Sequence, residues 1–433
     1  MNEALIGLAG LGAVLLLFLT GIEIGFAMAI VGFVGFGLVV SFPAASNMIA
    51  KDLVDVFANY GFTVIPLFVL MGQVAFNAGI AKRMYTFAYR FIGHVPGGMA
   101  MATVAGAMGF KAICGSSPAT AATFASVAVP EMDRFNYDKR LSTGVVATVG
   151  TLGILVPPSV TLIVFGITTG QSIGKLFLAG MVPGVIIACL FILVIYGWSR
   201  LNPAVGPKAE KSTWSERLAS IPEVLLILVV FVAMIWGLMA GVFTPIEAGS
   251  VGTAAVLLLA VIQGGLNLKG FFKSIGETLR TACMVVMLIA GSTILGHFLA
   301  VTKLPMIAAD WVVGLPFDRV LIMILIGVIY LIGGSFIDDL AFMILATPIF
   351  YPAVLKLGFD PIWFGIMIMV TVMIGVIVPP VAINVFVVKN ITGVPFPTIY
   401  KGVYPFLISL VVGAALLFVF PGLATWLPGV LMR

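Results

Sequence analysis

The sequence predicts an all-α polytopic membrane protein built from two inverted repeats, and three observations carry this prediction. Hydrophobic residues make up 61% of the 433 residues and charged residues 9%, which is too apolar for the surface of a soluble globule. At about 20 residues per crossing, the apolar stretches allow on the order of a dozen membrane passages. Two Pro-Pro pairs, Pro157-Pro158 and Pro379-Pro380, end apolar segments of one pattern, Gly-Ile-Leu-Val-Pro-Pro and Gly-Val-Ile-Val-Pro-Pro. This repeated motif predicts a duplicated helix break inside the membrane.

The amino-terminal segment is expected to be the first membrane helix. It carries Glu3 instead of a basic stretch, and its apolar run continues past Phe18 without a small-residue cleavage motif, unlike a secretory signal peptide. The net charge of +5 comes from loop lysines and arginines, which orient a membrane protein and do not indicate nucleic-acid binding. Three dispersed cysteines in apolar segments predict neither a disulfide framework nor a metal site: Cys114, Cys189 and Cys283.

The two halves correspond over most of the chain, which defines the domain organisation. We expect a first repeat over residues 1–198, a linker over 199–220 and a second repeat over 221–433. The linker is either an amphipathic segment at headgroup level or a solvated loop. Matching residues lie in similar register on both sides of each Pro-Pro pair: Glu23 with Glu247, Gly115 with Gly334, Pro130 with Pro348, Gly180 with Gly402, and Pro183 with Pro405.

Equivalent loops differ in their basic residues, and this asymmetry predicts that the repeats have opposite orientations. The loops around residues 82–90 and 134–140 and the linker carry most of the loop lysines and arginines, whereas the matching loops of the second half carry few. Because basic loops stay on the cytoplasmic side, equivalent loops of the two halves are expected on opposite sides of the membrane.

Each repeat also contains a Gly-Ser-rich interruption upstream of its Pro-Pro pair, at residues 114–120 and 333–339. Non-helical backbone at membrane depth persists only where protein buries it or where it lines a wet cavity. We therefore expect the four breaks to converge, as two re-entrant hairpins and two unwound helices. For the Gly-Ser segments taken alone, close helix packing through small residues is the alternative.

The broken helices predict a site for a cation and an anion. Free carbonyls at the end of one half-helix suit a hard cation such as Na⁺, and free N–H groups at the start of the next attract a carboxylate. One carboxylate of Asp338 and Asp339 is expected to face an ion, unless both are solvated at a helix end. Asn384, on the first turn after the second break, either binds substrate or forms an inter-helical hydrogen bond. Hydroxyl groups at the breaks add oxygen ligands: Ser116, Ser117, Thr120 and Ser335.

No feature of the sequence indicates an enzyme or an organic cofactor. It contains no Gly-x-x-x-x-Gly-Lys-Ser/Thr phosphate loop, and no nucleophile, base and orienting residue occur together in a soluble segment. His94 and His297 each lack a second ligand at metal spacing. No lysine or arginine lies within the break motifs to indicate the charge of a substrate. Secondary transport is therefore favoured, with an ion channel or a membrane scaffold as the alternative of another class.

Taken together, these motifs resemble the large membrane subunit of the tripartite ATP-independent periplasmic (TRAP) transporters. The resemblance covers nearly the full chain, with Ala382 as a small departure where the family pattern has glycine. The segments that carry it are residues 115–122, 129–132, 153–158, 336–338, 347–349, 360–365 and 379–384.

The resemblance implies a Na⁺-driven importer of an organic acid, such as a C4-dicarboxylate or sialic acid, in the bacterial inner membrane. It also implies an elevator mechanism, a periplasmic substrate-binding protein and a small four-helix membrane subunit. A proton-coupled organic-anion transporter or antiporter working without partners is the alternative. The expected substrate-binding residues are Ser116, Thr120, Pro157, Pro158, Ser335 and Asn384. The expected Na⁺ ligands or supports are Gly115, Ser116, Ser117, Gly153, Gly334, Asp338, Gly375 and Pro379.

Overall fold

The computed structural model describes residues 3–432, so Met1, Asn2 and Arg433 lie outside the described part. These residues form helices joined by short connections, and a 3₁₀ turn spans Tyr60–Thr63. The first half contains α1 (Glu3–Leu19), α2 (Ile24–Val39), α3 (Phe42–Phe57), α4 (Val64–Asn77), α5 (Ile80–Ile92), α6 (Gly98–Lys111), α7 (Ser117–Arg134), α8 (Lys139–Leu155), α9 (Val160–Thr169) and α10 (Ile173–Leu201). The second half contains α11 (Trp214–Met239), α12 (Pro245–Ile262), α13 (Leu268–Val301), α14 (Leu304–Val313), α15 (Arg319–Phe336), α16 (Asp339–Lys356), α17 (Pro361–Gly375), α18 (Ile383–Thr392), α19 (Phe396–Val419) and α20 (Gly422–Leu431).

The two halves have the same order of elements. The helical hairpin α6–α7 corresponds to α15–α16, and the interrupted helix α8–α9 corresponds to α17–α18. The long helix α13 occupies the place of α3 and α4 together, and α19 that of α10. The predicted fold class is therefore confirmed: an all-helical membrane protein with two hairpins and two broken helices.

Contacts between the halves are reciprocal. Helix α7 packs on α18 while α16 packs on α9, and α2 packs on α13 while α4 packs on α12. Both hairpin tips line one cavity, yet the hairpin helices of the two repeats do not pack extensively along each other in the described chain. The hairpins therefore approach the cavity from different directions, which fits the inverted arrangement.

The broken helix of the first repeat lies at the centre of the molecule. Nine of the described helical segments are long and apolar enough to cross a membrane. In the span Lys139–Thr169, 89% of the most apolar window is buried, against 28% in Trp214–Met239. Helix α11 therefore belongs to the periphery, where apolar side chains face outward, whereas α8 and α9 form the core around the first break.

Local sequence explains where the helices at the breaks begin. The Ser116 hydroxyl accepts a hydrogen bond from Ala119 N at 3.3 Å and caps α7, and the Ser159 hydroxyl caps α9 through Leu162 N at 3.4 Å. Such caps satisfy N–H groups that have no partner within the helix. Glu247 forms a capping box with Thr244 at the start of α12, which agrees with its expected role at a helix start.

The linker between the halves is mostly exposed and is anchored to the first repeat at two points. Helix α10 continues to Leu201 and α11 begins at Trp214, so the segment between them is short. Its backbone bonds to two inter-helical connections: Gly97 N donates to Gly206 O at 2.9 Å, and Asp138 N donates to Val205 O at 3.1 Å. Val205 is buried. The linker is therefore packed against the α5–α6 and α7–α8 connections of the first repeat.

Candidate functional site

A cavity of about 110 Å³ lies between α4 and α13 on one side and the hairpin tips on the other. This volume exceeds the roughly 10–15 Å³ that one water molecule requires, so the cavity can hold several waters. Helix α4 contributes Phe68 and Gln73, and α13 contributes Thr281 and Met284. The tips and the first break contribute Cys114, Gly115, Ser116, Ser117, Pro118, Val160, Thr161, Asp338, Asp339 and Leu340.

Three helices begin in the wall of this cavity. They are α7 at Ser117, α9 at Val160 and α16 at Asp339. A helix N-terminus carries free N–H groups and a partial positive charge. Two carboxylates, Asp338 and Asp339, lie in the same wall. The cavity thus offers donors for an anion and acceptors for a cation within one volume.

Within each repeat, the hairpin tip contacts the helix break. In the first repeat, a Cβ added at Gly115 would lie 2.6 Å from Pro158 O, so only glycine permits this approach. In the second repeat, Val381 N donates to Ser335 O at 3.1 Å. A Cβ added at Gly375 would lie 2.9 Å from the carbonyl carbon of Gly334. The glycines at these positions allow backbone to meet backbone.

Across the repeats, the tip of each hairpin bonds to the broken helix of the other half. Asn384 Nδ2 donates to Ser117 Oγ at 3.0 Å and to Ala147 O at 3.1 Å. The Thr161 hydroxyl donates to Asp339 Oδ2 at 3.2 Å. The four breaks therefore meet in one assembly, as expected for non-helical backbone at membrane depth.

The structure separates the expected site residues into three groups. Gly115, Ser116, Ser117 and Asp338 line the cavity. Asn384 is fully buried, and its amide is engaged in the bonds between helices described above. The remaining expected residues lie at or near the breaks and tips but do not line the cavity: Thr120, Gly153, Pro157, Pro158, Gly334, Ser335, Gly375 and Pro379.

The two Pro-Pro pairs differ in their surroundings. Pro157 and Pro158 are buried, whereas Pro379 and Pro380 are exposed, and Val381 beside them is 44% exposed. Both pairs contain a cis peptide bond. The second break is therefore open to the surface of the chain while the first is enclosed.

Lys111 belongs to the site but was not identified from the sequence. It ends α6, its side chain is fully buried, and its ammonium donates to Ser116 O at 2.7 Å. A signal existed, because Lys111 lies four residues before Gly115 in an otherwise apolar run. A buried ionisable residue at membrane depth marks a functional position unless it is paired.

The two histidines lie outside this cavity. His297 Nε2 lies 3.3 Å from Asp52 Oδ1, which joins α13 to α3. His94 lies in the connection between α5 and α6. Neither residue lines the cavity, so their positions agree with supporting roles in the scaffold and a connection.

Comparison with known proteins identifies the family. Residues 11–423 match the family model of the tripartite ATP-independent periplasmic transporter, DctM component. The chain is 34% identical over 389 residues to the C4-dicarboxylate TRAP transporter large permease protein DctM of Pseudomonas aeruginosa, covering 89% of this chain and 90% of that protein. It is 31% identical over 413 residues to the sialic acid TRAP transporter large permease protein SiaM of Vibrio cholerae, covering 95% of this chain and 96% of that protein.

A solved structure supports the fold independently of close sequence similarity. The YdaH transporter of Alcanivorax borkumensis matches 88% of this chain and 89% of its own chain, with a TM-score of 0.63 and 14% identity. The family's members are permease subunits and not enzymes, as the sequence predicted. The chain belongs to the DctM component family of the tripartite ATP-independent periplasmic transporters.

Proposed function

We propose that this chain is the transporting subunit of a Na⁺-coupled importer of an organic acid in the bacterial inner membrane. One observation carries the proposal: three helix N-termini and two carboxylates share a cavity between the hairpin tips and helices α4 and α13. Such discontinuous helices at corresponding positions of two repeats are typical of substrate and ion sites in secondary transporters.

The anionic substrate would bind to main-chain N–H groups. Among the described residues, no lysine, arginine or histidine lines the cavity. The starts of α7 and α9, which lie in the cavity wall, would supply the positive potential instead. The hydroxyl of Ser116 would add a donor at the start of α7.

The Na⁺ ion would bind beside Asp338 at the second hairpin tip, which contacts the second break through Ser335. Oxygen ligands are what a hard cation prefers, and main-chain carbonyls of the tip would complete the site with this carboxylate. Ion binding there would fix the tip against the break, so that the cavity binds the anion well only when Na⁺ is present. Coupling of this kind requires only that the two ligands favour the same conformation.

Transport would follow from movement of the hairpins and broken helices against a fixed scaffold containing α2, α4, α12 and α13. The reciprocal packing of α2 on α13 and of α4 on α12 supports a scaffold shared by both repeats. The hairpin tips and the scaffold helices α4 and α13 line opposite sides of the cavity. This arrangement supports a sliding interface between the hairpins and the scaffold. We propose a small membrane subunit and a periplasmic binding protein as partners of this assembly.

The relatives support an organic anion as the substrate. Similar proteins are named for C4-dicarboxylate and for sialic acid, which favours a carboxylate, and another is named for isethionate, a sulfonate. The test is uptake of radiolabelled organic acids into proteoliposomes, with each partner present or omitted and with an imposed Na⁺ gradient. The proposal predicts uptake that needs the partners and Na⁺. Uptake by this chain alone, or without Na⁺, would contradict that part of it.

Proton coupling is a second candidate because Asp338 and Asp339 are adjacent at one hairpin tip. Paired carboxylates at membrane depth also serve as proton carriers. The same proteoliposomes distinguish the two coupling ions. Uptake that follows an imposed pH gradient and is unchanged by Na⁺ would favour the proton.

The glycine at the first hairpin tip gives a specific prediction. Gly115→Ala is expected to lower uptake by about tenfold or more, because inserting a methyl group into a packed contact costs roughly 1–3 kcal/mol. Its Cβ would lie 2.6 Å from Pro158 O and 3.3 Å from Val160 N, both of which are main-chain atoms. The measurement is initial uptake rate per folded protein. Gly197→Ala in α10 is the matched control because nothing lies within 4 Å of its added Cβ. Equal rates for the two variants would contradict the tip contact.

A further inference from the structure

Lys111 places a buried ammonium group beside the first helix break. The side chain is 0% exposed and lies behind the cavity wall, so it does not reach the substrate volume. Among residues 3–432 it forms no ion pair, and its one hydrogen bond is to Ser116 O. An ammonium has three donors and is costly to bury without partners. The burial of the Lys111 ammonium therefore calls for a functional explanation.

The ammonium lies against Ser116 and Gly153, two residues that the resemblance to the family implies as Na⁺ ligands or supports. A Cβ added at Gly153 would lie 1.7 Å from Lys111 Nζ, so the amine occupies the space that glycine leaves free. Pro157 has no N–H group, and Gly153 O accepts no hydrogen bond from the described residues. By contrast, Ile154 O accepts from the Ser159 hydroxyl at 2.7 Å. The amine thus fills the space beside Gly153 in the helix that ends at the break, whose Gly153 carbonyl is unpaired, and it bonds to a carbonyl of the tip.

The second repeat has no such group. Aligning Gly115 with Gly334 puts Tyr330 opposite Lys111. The Tyr330 hydroxyl lies 3.2 Å from Thr347 Oγ1, on the neighbouring helix of its hairpin. At the second break, main chain of Gly375 faces main chain of Gly334, and Asp338 lies at the end of the tip. The two repeats therefore differ in charge at equivalent positions.

We propose that the Lys111 ammonium is a tethered cation that takes the place of Na⁺ at the first-repeat break. Na⁺ would then bind at the hairpin tip and break of the second repeat only. The inference rests on the proposed Na⁺-coupled function and states which cation occupies each of the two equivalent breaks. A tethered cation moves with the hairpin in both directions, so it holds the tip and the break together without being released.

The test compares two variants that remove the charge in different ways. Lys111→Ala vacates the space, and we expect the folded variant to bind one additional Na⁺ per chain and to recover uptake when the Na⁺ concentration is raised. Lys111→Met removes the charge but keeps a side chain in the space, and we expect its uptake to be lost at every Na⁺ concentration. Binding of radioactive Na⁺ to purified protein and uptake into proteoliposomes supply the two readouts. Lys356→Ala is the control, because Lys356 pairs with the exposed Asp310 outside the site.

Two results would overturn the inference. The first is a folded Lys111→Ala variant that binds the same number of Na⁺ ions as the wild type. The second is a Lys111→Met variant that transports at the wild-type rate. This result would overturn the inference even if the Lys111→Ala variant failed to fold. The Na⁺ dependence of uptake by the wild-type chain distinguishes a failure of this inference from a failure of the proposed function. If its uptake ignores Na⁺, the Na⁺-coupled function itself fails, whereas a Na⁺-dependent wild type leaves the variants to judge Lys111.

Discussion

Asp338→Asn is expected to raise the Na⁺ concentration for half-maximal uptake by about tenfold or more, which corresponds to roughly 1.4 kcal/mol of lost ion binding. The carboxylate lines both the substrate cavity and a second cavity formed with Glu23 and Met287, so an ion can reach it. Asp338 is the N-cap residue of α16, and asparagine is as good an N-cap as aspartate, so the substitution removes the charge without removing a capping residue. We therefore expect folded protein with impaired coupling. The measurement is initial uptake rate against Na⁺ concentration in proteoliposomes.

Asp310→Asn is the matched control for this change. Asp310 lies on α14 and pairs with Lys356 at 2.6 Å, with 69% of its side chain exposed. Surface pairs of this kind contribute little to stability. The control should therefore keep the wild-type Na⁺ dependence. A folded Asp338→Asn variant with unchanged Na⁺ affinity would contradict the role of Asp338, as would poor expression with normal Na⁺ dependence in the residual activity.

A disulfide between the scaffold and the first hairpin tip is expected to stop transport completely. A Cβ added at Gly72 on α4 would lie 3.3 Å from Cys114 Cα and 3.4 Å from Cys114 Sγ. A cysteine at position 72 would therefore have its Cβ in contact with Cys114, which brings the two side chains within reach of a disulfide, whose Cβ atoms lie about 3.5–4.5 Å apart. Gly72→Cys should therefore react with the native Cys114 under oxidising conditions and fix the tip to α4. If the hairpin must slide along the scaffold, uptake stops on oxidation and returns on reduction.

The background for this experiment replaces the exposed cysteines Cys189 and Cys283 with serine. Gly72→Ser has similar bulk and forms no bridge, and Gly72→Cys combined with Cys114→Ser lacks one partner. Both controls should be insensitive to oxidant. The extent of cross-linking is measured by mass spectrometry on the same samples. Full cross-linking with undiminished uptake would show that the tip and α4 stay together during transport, which would contradict the elevator mechanism.

The sequence allowed the duplicated breaks to be predicted because their signals are local. Two consecutive prolines remove two N–H donors, and Pro157-Pro158 and Pro379-Pro380 interrupt helices in equivalent settings, whereas a single proline such as Pro183 lies within a continuous helix. The Gly-Ser motifs near Gly115 and Gly334 mark the hairpin tips for a similar reason. Convergence of these four breaks also followed, because bare backbone at membrane depth requires protein or water around it.

The contacts between the breaks could not be predicted in the same way. Asn384 bonds to Ser117 and Ala147, which are distant in the chain, so only the fold reveals that its amide is occupied. Lys111 lies outside every break motif, and its position beside Gly153 depends on how α6 packs against α8. The exposure of Pro379 and the burial of Pro157 likewise depend on packing, because their local sequences are nearly the same.

The most direct test of the central claim is whether substrate entry carries Na⁺ with it. Proteoliposomes containing the complete transporter are given an inward gradient of the organic acid and equal Na⁺ concentrations on both sides, with the membrane potential clamped to zero. Uptake of radioactive Na⁺ is then followed together with that of the acid. The proposed mechanism predicts that Na⁺ enters only with substrate, in a fixed ratio, and that Asp338→Asn weakens this coupling. Substrate entry without any movement of Na⁺ would contradict it.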